Sequence, residues 1–414
     1  MSSSAAPVAA AAAAIFPLRQ DAGVIGLVGL AHLVSHFSQL LLAPLFPWLK
    51  EALDASYTEL GFLMTIFFVV SCAVQATSGF LVDKHGPLPV LFGGLALIAV
   101  AAFGFAASTS YLMMAGFSVV AGLGNGVFHP VNYTLLNRKV SAARLGHAYS
   151  FHGITGSLGW GLAPLVLVPL AILWSWRWAL VAAGALALVV MAVLWLNRAR
   201  LLLAAPPARS AAAAPPSGSF EFLRIPAVWM CFAFFFFYAV VLSVVHTFAS
   251  ESARQLHGVP VALAAACLTV YMVCSAGGMV LGGFLAADPA RCETVVALGF
   301  AAAAAIALFV GFGPVPALAV PMLFGAMGFV TGVAGPSRDL LVKKSTPDNA
   351  SGRVYGIVYS GLDIGQALAP LVFGALMDGG RYRSVWLGLA LMQAVLVASA
   401  FQVRKVRRTV LAPG

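Results

Sequence analysis

The sequence predicts an all-α integral membrane protein whose twelve transmembrane helices form two six-helix bundles. Three observations carry this: a composition too apolar for water, twelve stretches long enough to cross a bilayer, and an internal repeat relating the halves. Of the 414 residues, 61% are hydrophobic and only 9% charged, where a soluble domain carries roughly 25% charged side chains. So few charges cannot cover a surface facing water, and the surplus apolar surface calls for lipid. The five cysteines (Cys72, Cys231, Cys267, Cys274 and Cys292) contain no C-x-x-C pair. Neither a disulfide framework nor a zinc site is suggested, and they read as small buried apolar residues.

A hydrocarbon core about 30 Å thick takes about 20 mostly apolar helical residues to cross. Such stretches fall at roughly 23–47, 58–82, 88–107, 111–136, 146–170 and 177–196, then 226–249, 262–287, 294–312, 315–341, 353–377 and 384–403. Residues 1–22 are Ala-rich with no charged n-region ahead of the apolar run. They are expected to be a disordered tail and not a cleaved signal peptide. The first bundle is assigned to 23–196 and the second to 226–403. Between them, 197–225 holds Pro206-Pro207 and Pro215-Pro216 and reads as a linker, and 404–414 as a second tail.

The repeat supports that division independently. Gly122–Val166 aligns without a gap on Gly328–Val372 at a constant offset of 206, with 13 of 45 pairs identical. The matches include Gly126/Gly332, Pro130/Pro336, Gly146/Gly352, Tyr149/Tyr355 and Gly159/Gly365, and Leu162–Val166 repeats whole as Leu368–Val372. Shared Gly and Pro positions imply shared bends and close helix contacts. With an even number of spans in each half, the halves are parallel repeats.

The net charge of +10 does not point to nucleic acid, because the basic residues sit in short loops between spans. With the N-terminus inside, cytoplasmic segments hold 18 Lys+Arg and the opposite side 5. By the positive-inside rule both termini and the linker are cytoplasmic, in an inner (cytoplasmic) membrane.

The loop after span two reads Gly79-Phe80-Leu81-Val82-Asp83-Lys84-His85-Gly86. It resembles the G-x-L-x-D-R-x-G loop of the major facilitator superfamily, with Lys84 in place of Arg. The resemblance covers essentially the whole chain and implies the major facilitator fold. Span four carries Gly122-Leu123-Gly124-Asn125-Gly126-Val127-Phe128-His129-Pro130, and Ser150-Phe151-His152-Gly153 leads into a Gly-rich fifth span. These segments resemble the fosmidomycin resistance protein branch of that superfamily. That likeness implies a proton-coupled exporter of a small anionic or amphiphilic antibiotic-like compound.

The physical logic of the loop is a gate. Gly79 lets two helices approach closely, while Asp83 can cap a neighbouring helix and pair with a cation. Arg138, at the end of span four, is the nominated partner. Arg338 and Asp339 sit at repeat positions equivalent to Asn132 and Tyr133 and join the expected gating set. The alternative reading of the loop is a polar turn that only sets topology.

Polar residues inside spans are costly and so mark candidate sites. His32, His36 and Gln39 occupy i, i+4 and i+7 on one face of span one. Asn125, His129, Asn132 and Tyr133 extend along span four, His152 lies early in span five, and span seven carries Tyr238, Ser243 and His246. Span eleven offers Tyr359, Asp363 and Gln366. Each histidine reads either as a hydrogen-bonded packing residue or as cavity lining. His32 and His36 have the helical spacing of a metal pair, but no acidic or thiol ligand accompanies them, so no metal is expected. Asp363 is the single carboxylate read as deep within a span, which suits a proton carrier or an interhelical hydrogen bond. The first half has no such acid, so proton coupling there falls to histidines such as His32 and His36, whose unperturbed pKa is about 6.5.

These readings imply a secondary transporter working by alternating access. Its partners are a small-molecule substrate, protons and the lipid bilayer, with no cofactor, and the chain is expected to be a monomer. Proton-coupled efflux leads, with proton-coupled uptake of an organic anion or metabolite as the alternative and a transporter-derived receptor below both. No P-loop supports ATP as energy source, and no nucleophile and base share a useful spacing, so an enzyme is not expected.

Overall fold

The structure, a computed structural model, describes residues 17–141, 144–203, 226–286, 291–345 and 351–411. Twelve helices in it are long and apolar enough to cross a membrane: Leu18–Leu53, Tyr57–Val82, Pro87–Ala107, Tyr111–Lys139, His147–Leu173, Trp176–Leu196, Val228–His257, Val261–Leu285, Cys292–Phe312, Ala317–Arg338, Ser360–Asp378 and Tyr382–Ser399. They are spans one to twelve. The expected tail 1–22 and linker 197–225 fall mostly outside the described residues, but span one already begins at Leu18. Because the spans alternate in direction, the start of span one, the end of span six and the end of span twelve share one end of the molecule. That is the terminal end, and the opposite one is the far end.

Three spans are interrupted, each for a local reason. Span one stops as an α-helix at Gln39, passes through a 3₁₀ turn at Ala43–Leu45 and resumes at Phe46–Leu53. Pro44 and Pro47 lie in the first turns of the two new segments, where a missing N–H costs nothing. Span four breaks after Asn125 and resumes at Phe128, with Pro130 in the first turn of the second piece. Span seven carries a π-helical turn over Val245–Ala249, a distortion that turns side chains out of register and often marks functional sites.

The repeat predicted close helix contacts at matched glycines, and the structure makes them. A Cβ on Gly122 would meet the Phe67 carbonyl oxygen of span two at 2.6 Å, and one on Gly126 the Ser71 carbonyl at 2.5 Å. Their counterparts Gly328 and Gly332 press in the same way on the carbonyls of Tyr271 and Ser275 in span eight. Gly159 lies against the Leu33 carbonyl of span one, and Gly365 against the Phe236 carbonyl of span seven. In both halves glycine lets backbones touch where lipid gives no hydrophobic drive to helix association.

The halves meet most firmly at the far end. Asp378, at the end of span eleven, accepts hydrogen bonds from the Tyr57 and Thr58 backbone N–H groups at 2.6 and 2.8 Å and from the Thr58 hydroxyl at 2.5 Å. A carboxylate thus caps the N-terminus of a helix in the other half, adding charge-assisted bonds to a favourable helix dipole. The Tyr57 hydroxyl donates to Glu251 at 3.1 Å, and Glu251 in turn binds Arg254. Deeper in, Thr65 donates to the Ala367 carbonyl, and Thr269 of span eight to the Gly161 carbonyl of span five, both at 2.6 Å. Removing the cap with Asp378→Ala should cost the far-closed arrangement about 2 kcal/mol, roughly a thirty-fold population shift. Thiol labelling of Ala367→Cys, at a position only 4% exposed, should rise accordingly; unchanged labelling would make the contact incidental.

Candidate functional site

Close contact between spans one and five builds the centre of the site. Gly156 faces span one where a Cβ would lie 2.8 Å from the His36 ring and 2.9 Å from His32 Nε2. Without that methyl, both imidazoles seat against the span-five backbone. His32 then stacks on His152 with centroids 3.5 Å apart and planes 14° apart, and lies 4.1 Å from His36. The break in span four brings in His129, 5.3 Å from His32 and 6.0 Å from His36. Four imidazoles from three spans form one cluster. His32, His36 and His152 are each no more than 7% exposed.

A polar network fixes the cluster on two sides. Toward the far end, the Trp160 indole stacks on His36 at 4.2 Å and donates to Gln39 Oε1 at 2.9 Å. Gln39 donates to Asn125 at 3.4 Å, and Asn125 to the Ser71 hydroxyl at 2.9 Å. Trp160 also lies 4.7 Å from His246 of the π-turn in span seven, a contact across the halves. Toward the terminal end, Asn132 Nδ2 lies 3.3 Å from His152 Nε2, and Tyr133 packs 5.3 Å from His152. Tyr133 is 43% exposed and meets Tyr149 at 5.5 Å, so the two phenols form a rim over the buried rings.

The second crossing between halves is the more consequential. His129 Nδ1 lies 2.9 Å from Gln75 Oε1, and Gln75 Nε2 donates to Asp363 Oδ2 at 3.4 Å. With Nδ1 protonated, the donors run His129 to Gln75 to Asp363, and each group fills its natural role. Cys72 lies beside Asp363. A half-buried carboxylate of span eleven is thereby joined through one carboxamide of span two to the imidazoles of the other half. An amide conducts protons poorly, so Gln75 positions the two titratable groups relative to each other and does not relay between them.

Of the residues singled out in the sequence, His32, His36, Gln39, Asn125, His129, Asn132, Tyr133 and His152 come together, with Asp363 tied on through Gln75. Gln366 stands apart: its backbone carbonyl accepts from Ser243, 3.4 Å away. Arg338, expected in the gating set, packs on aromatic rings of span seven. Its guanidinium lies 4.3 Å over the Tyr238 ring, inside the second half. The close approach expected of Gly79 is not made, since a Cβ there meets nothing within 4 Å. Lys84 and Arg138 are exposed, and the side chains of Asp83, Asp339 and Tyr359 lie outside the described residues. Sequence reading missed Gln75, Trp160 and the Asp378 cap. An amide in the middle of span two was the available signal for the first.

Two parallel six-helix repeats, closed on each other at one end around a polar centre at their interface, define a multi-pass membrane protein of the transporter class, not an enzyme. The particular family follows from comparison: the profile of the Major Facilitator Superfamily matches residues 28–330, and the chain belongs to that superfamily. The fosmidomycin resistance protein of Escherichia coli is 29% identical over 174 residues, 40% of this chain and 41% of that protein. A probable sulfoacetate transporter, SauU, of Cupriavidus necator is 26% identical over 40% of this chain and 38% of its own length. A multidrug resistance protein B homolog of Mycobacterium tuberculosis is 24% identical over 39% and 31%. The chain therefore matches less than half the length of each of these relatives. Among solved structures, a bacterial homolog of the human lysosomal transporter Spinster, in an inward-facing and occupied conformation, superposes with a TM-score of 0.73. That match is 15% identical and covers 95% of this chain and 98% of the other. A mutant of the nucleoside transporter NupG gives 0.71 at 16% identity, covering 91% and 99%. At such identities these two speak to the fold alone.

Proposed function

We propose that the chain is a proton-coupled secondary transporter that exports a small antibiotic-like or organic-anion compound by alternating access, from an inner membrane with both termini cytoplasmic. The observation that carries this is the Asp363–Gln75–His129 thread. It links the one carboxylate midway along span eleven to four imidazoles in the opposite half, across the interface that rocking bundles must remake. Protonation of either end changes the thread's hydrogen bonds, and that gives a proton leverage over the interface. The far-end cap of Asp378 holds one of the two states. The cluster itself offers aromatic faces at Trp160, Tyr133 and Tyr149 and imidazole donors for an anionic group. Two of the partial relatives are named for drug resistance, which supports export.

Uptake of an organic anion is the second reading, supported by the relative named for sulfoacetate. A susceptibility panel including fosmidomycin, run on cells with and without the gene, separates the two. Export predicts several-fold higher tolerance to at least one compound. No protection across the panel, together with faster accumulation of a labelled sulfonate, would overturn export in favour of uptake.

A further inference from the structure

We propose that His32, His36 and His129 form a binding site for a borderline transition-metal dication such as Zn²⁺, Co²⁺ or Ni²⁺. In the sequence His32 and His36 stood without a third ligand. The fold supplies one: His129 of span four brings a ring nitrogen within 4.8 Å of the ligand atoms of the other two. Zn–N bonds of about 2.0–2.1 Å in a tetrahedron place nitrogens about 3.3 Å apart. Contraction from the observed spacing is within reach of imidazole side-chain torsions.

Unmet hydrogen-bonding capacity points to an ion and not to mere packing. Both ring nitrogens of His36 and Nδ1 of His32 are buried with no hydrogen-bond partner, in residues 7% and 2% exposed. Leaving such groups unmet costs about 1–3 kcal/mol each. Gly156 keeps the wall against these rings free of a Cβ. His152 is occupied otherwise, since its Nε2 faces Asn132 and its ring braces His32 by stacking.

The surroundings of His129 match those of a ligating imidazole. Such a ring usually gives its other N–H to an acceptor, which fixes the tautomer. Nδ1–H donating to Gln75 Oε1 leaves the Nε2 lone pair for the ion, and Gln75 leads on to Asp363, whose negative charge offsets a dication. Three imidazoles and no direct carboxylate favour zinc, cobalt, nickel or copper over magnesium or calcium.

The test is equilibrium binding to the purified full-length protein in detergent after chelator treatment. Co²⁺ is followed by its visible ligand-field bands and Zn²⁺ by calorimetry. One ion per chain is expected, with affinity at least about tenfold weaker in His36→Asn and His129→Asn and unchanged in His147→Asn and His257→Asn, which lie outside the cluster. Thermal melts without metal check that each variant folds. Should a cluster variant not melt cooperatively, X-ray absorption of the Co²⁺-loaded wild type decides, with three imidazoles expected. No saturable one-to-one binding, unchanged affinity in both cluster variants, or fewer than three imidazoles on the metal each overturns the site. Binding at equilibrium needs no transport, so such a failure leaves the proposed transport function standing.

Discussion

Gln75→Leu should lower proton-driven flux at least about tenfold while leaving a folded, membrane-inserted protein. Leucine approximates glutamine in size and suits a lipid-embedded helix, so packing of span two is kept. What is lost is both hydrogen bonds, to His129 Nδ1 and to Asp363 Oδ2. A hydrogen bond to a charged group is worth about 1.5–3 kcal/mol, and each 1.4 kcal/mol is about tenfold in a rate or population. Exchange of solute at equal pH should survive in part, because the cluster's own rings are untouched. If exchange falls as far as proton-driven flux, Gln75 is a solute-binding residue and the thread has no separate coupling role.

Gly159→Leu should abolish folded protein. A Cβ at Gly159 overlaps the Leu33 carbonyl oxygen and lies 2.9 Å from His36 Cβ and 3.0 Å from the Phe37 backbone nitrogen. These neighbours are backbone or the root of a side chain, so span five must move as a whole. That movement separates His32 from His152 and His36 from Trp160, and it opens the interface on which the site depends. Overpacking of this kind commonly costs about 1–3 kcal/mol when side chains can yield and more when they cannot. Gly153→Leu is the matched control, because a Cβ there meets nothing within 4 Å. Melting and size-exclusion yield in detergent should show near-normal protein for Gly153→Leu and almost none for Gly159→Leu. Equal yields would mean the contact between spans one and five is slack.

The span count and the two-half plan were legible because they depend on length and apolarity, and the repeat was legible because matched glycines mark matched backbone contacts. His32, His36 and Gln39 were legible as one face because helical spacing alone places them. What spacing within one helix cannot give is which faces of different helices meet. Thus His129 and His152 were nominated separately, and only the break in span four and the glycines of span five bring them to His32. Gln75 escaped notice as a single amide in a long apolar span. Asp378 lies at a span end, where a carboxylate does not stand out as an intramembrane charge, yet its cap on span two joins the halves there. The motif loop raised the opposite problem. Gly79 has the sequence character of a close contact, but the present arrangement leaves open space around it.

In the proposed mechanism Asp363 and His129 act on proton coupling as one linked pair held by Gln75. A double-mutant cycle in proteoliposomes under an imposed pH gradient tests it most directly, comparing wild type, Asp363→Asn, His129→Asn and the double variant, with solute exchange at equal pH measured alongside. Residues that act as a unit give non-additive losses. Each single variant should lose most proton-driven flux, the double should be no worse than the poorer single, and exchange should persist in all. Losses that multiply in the double variant, or proton-driven flux unchanged in Asp363→Asn, would contradict it.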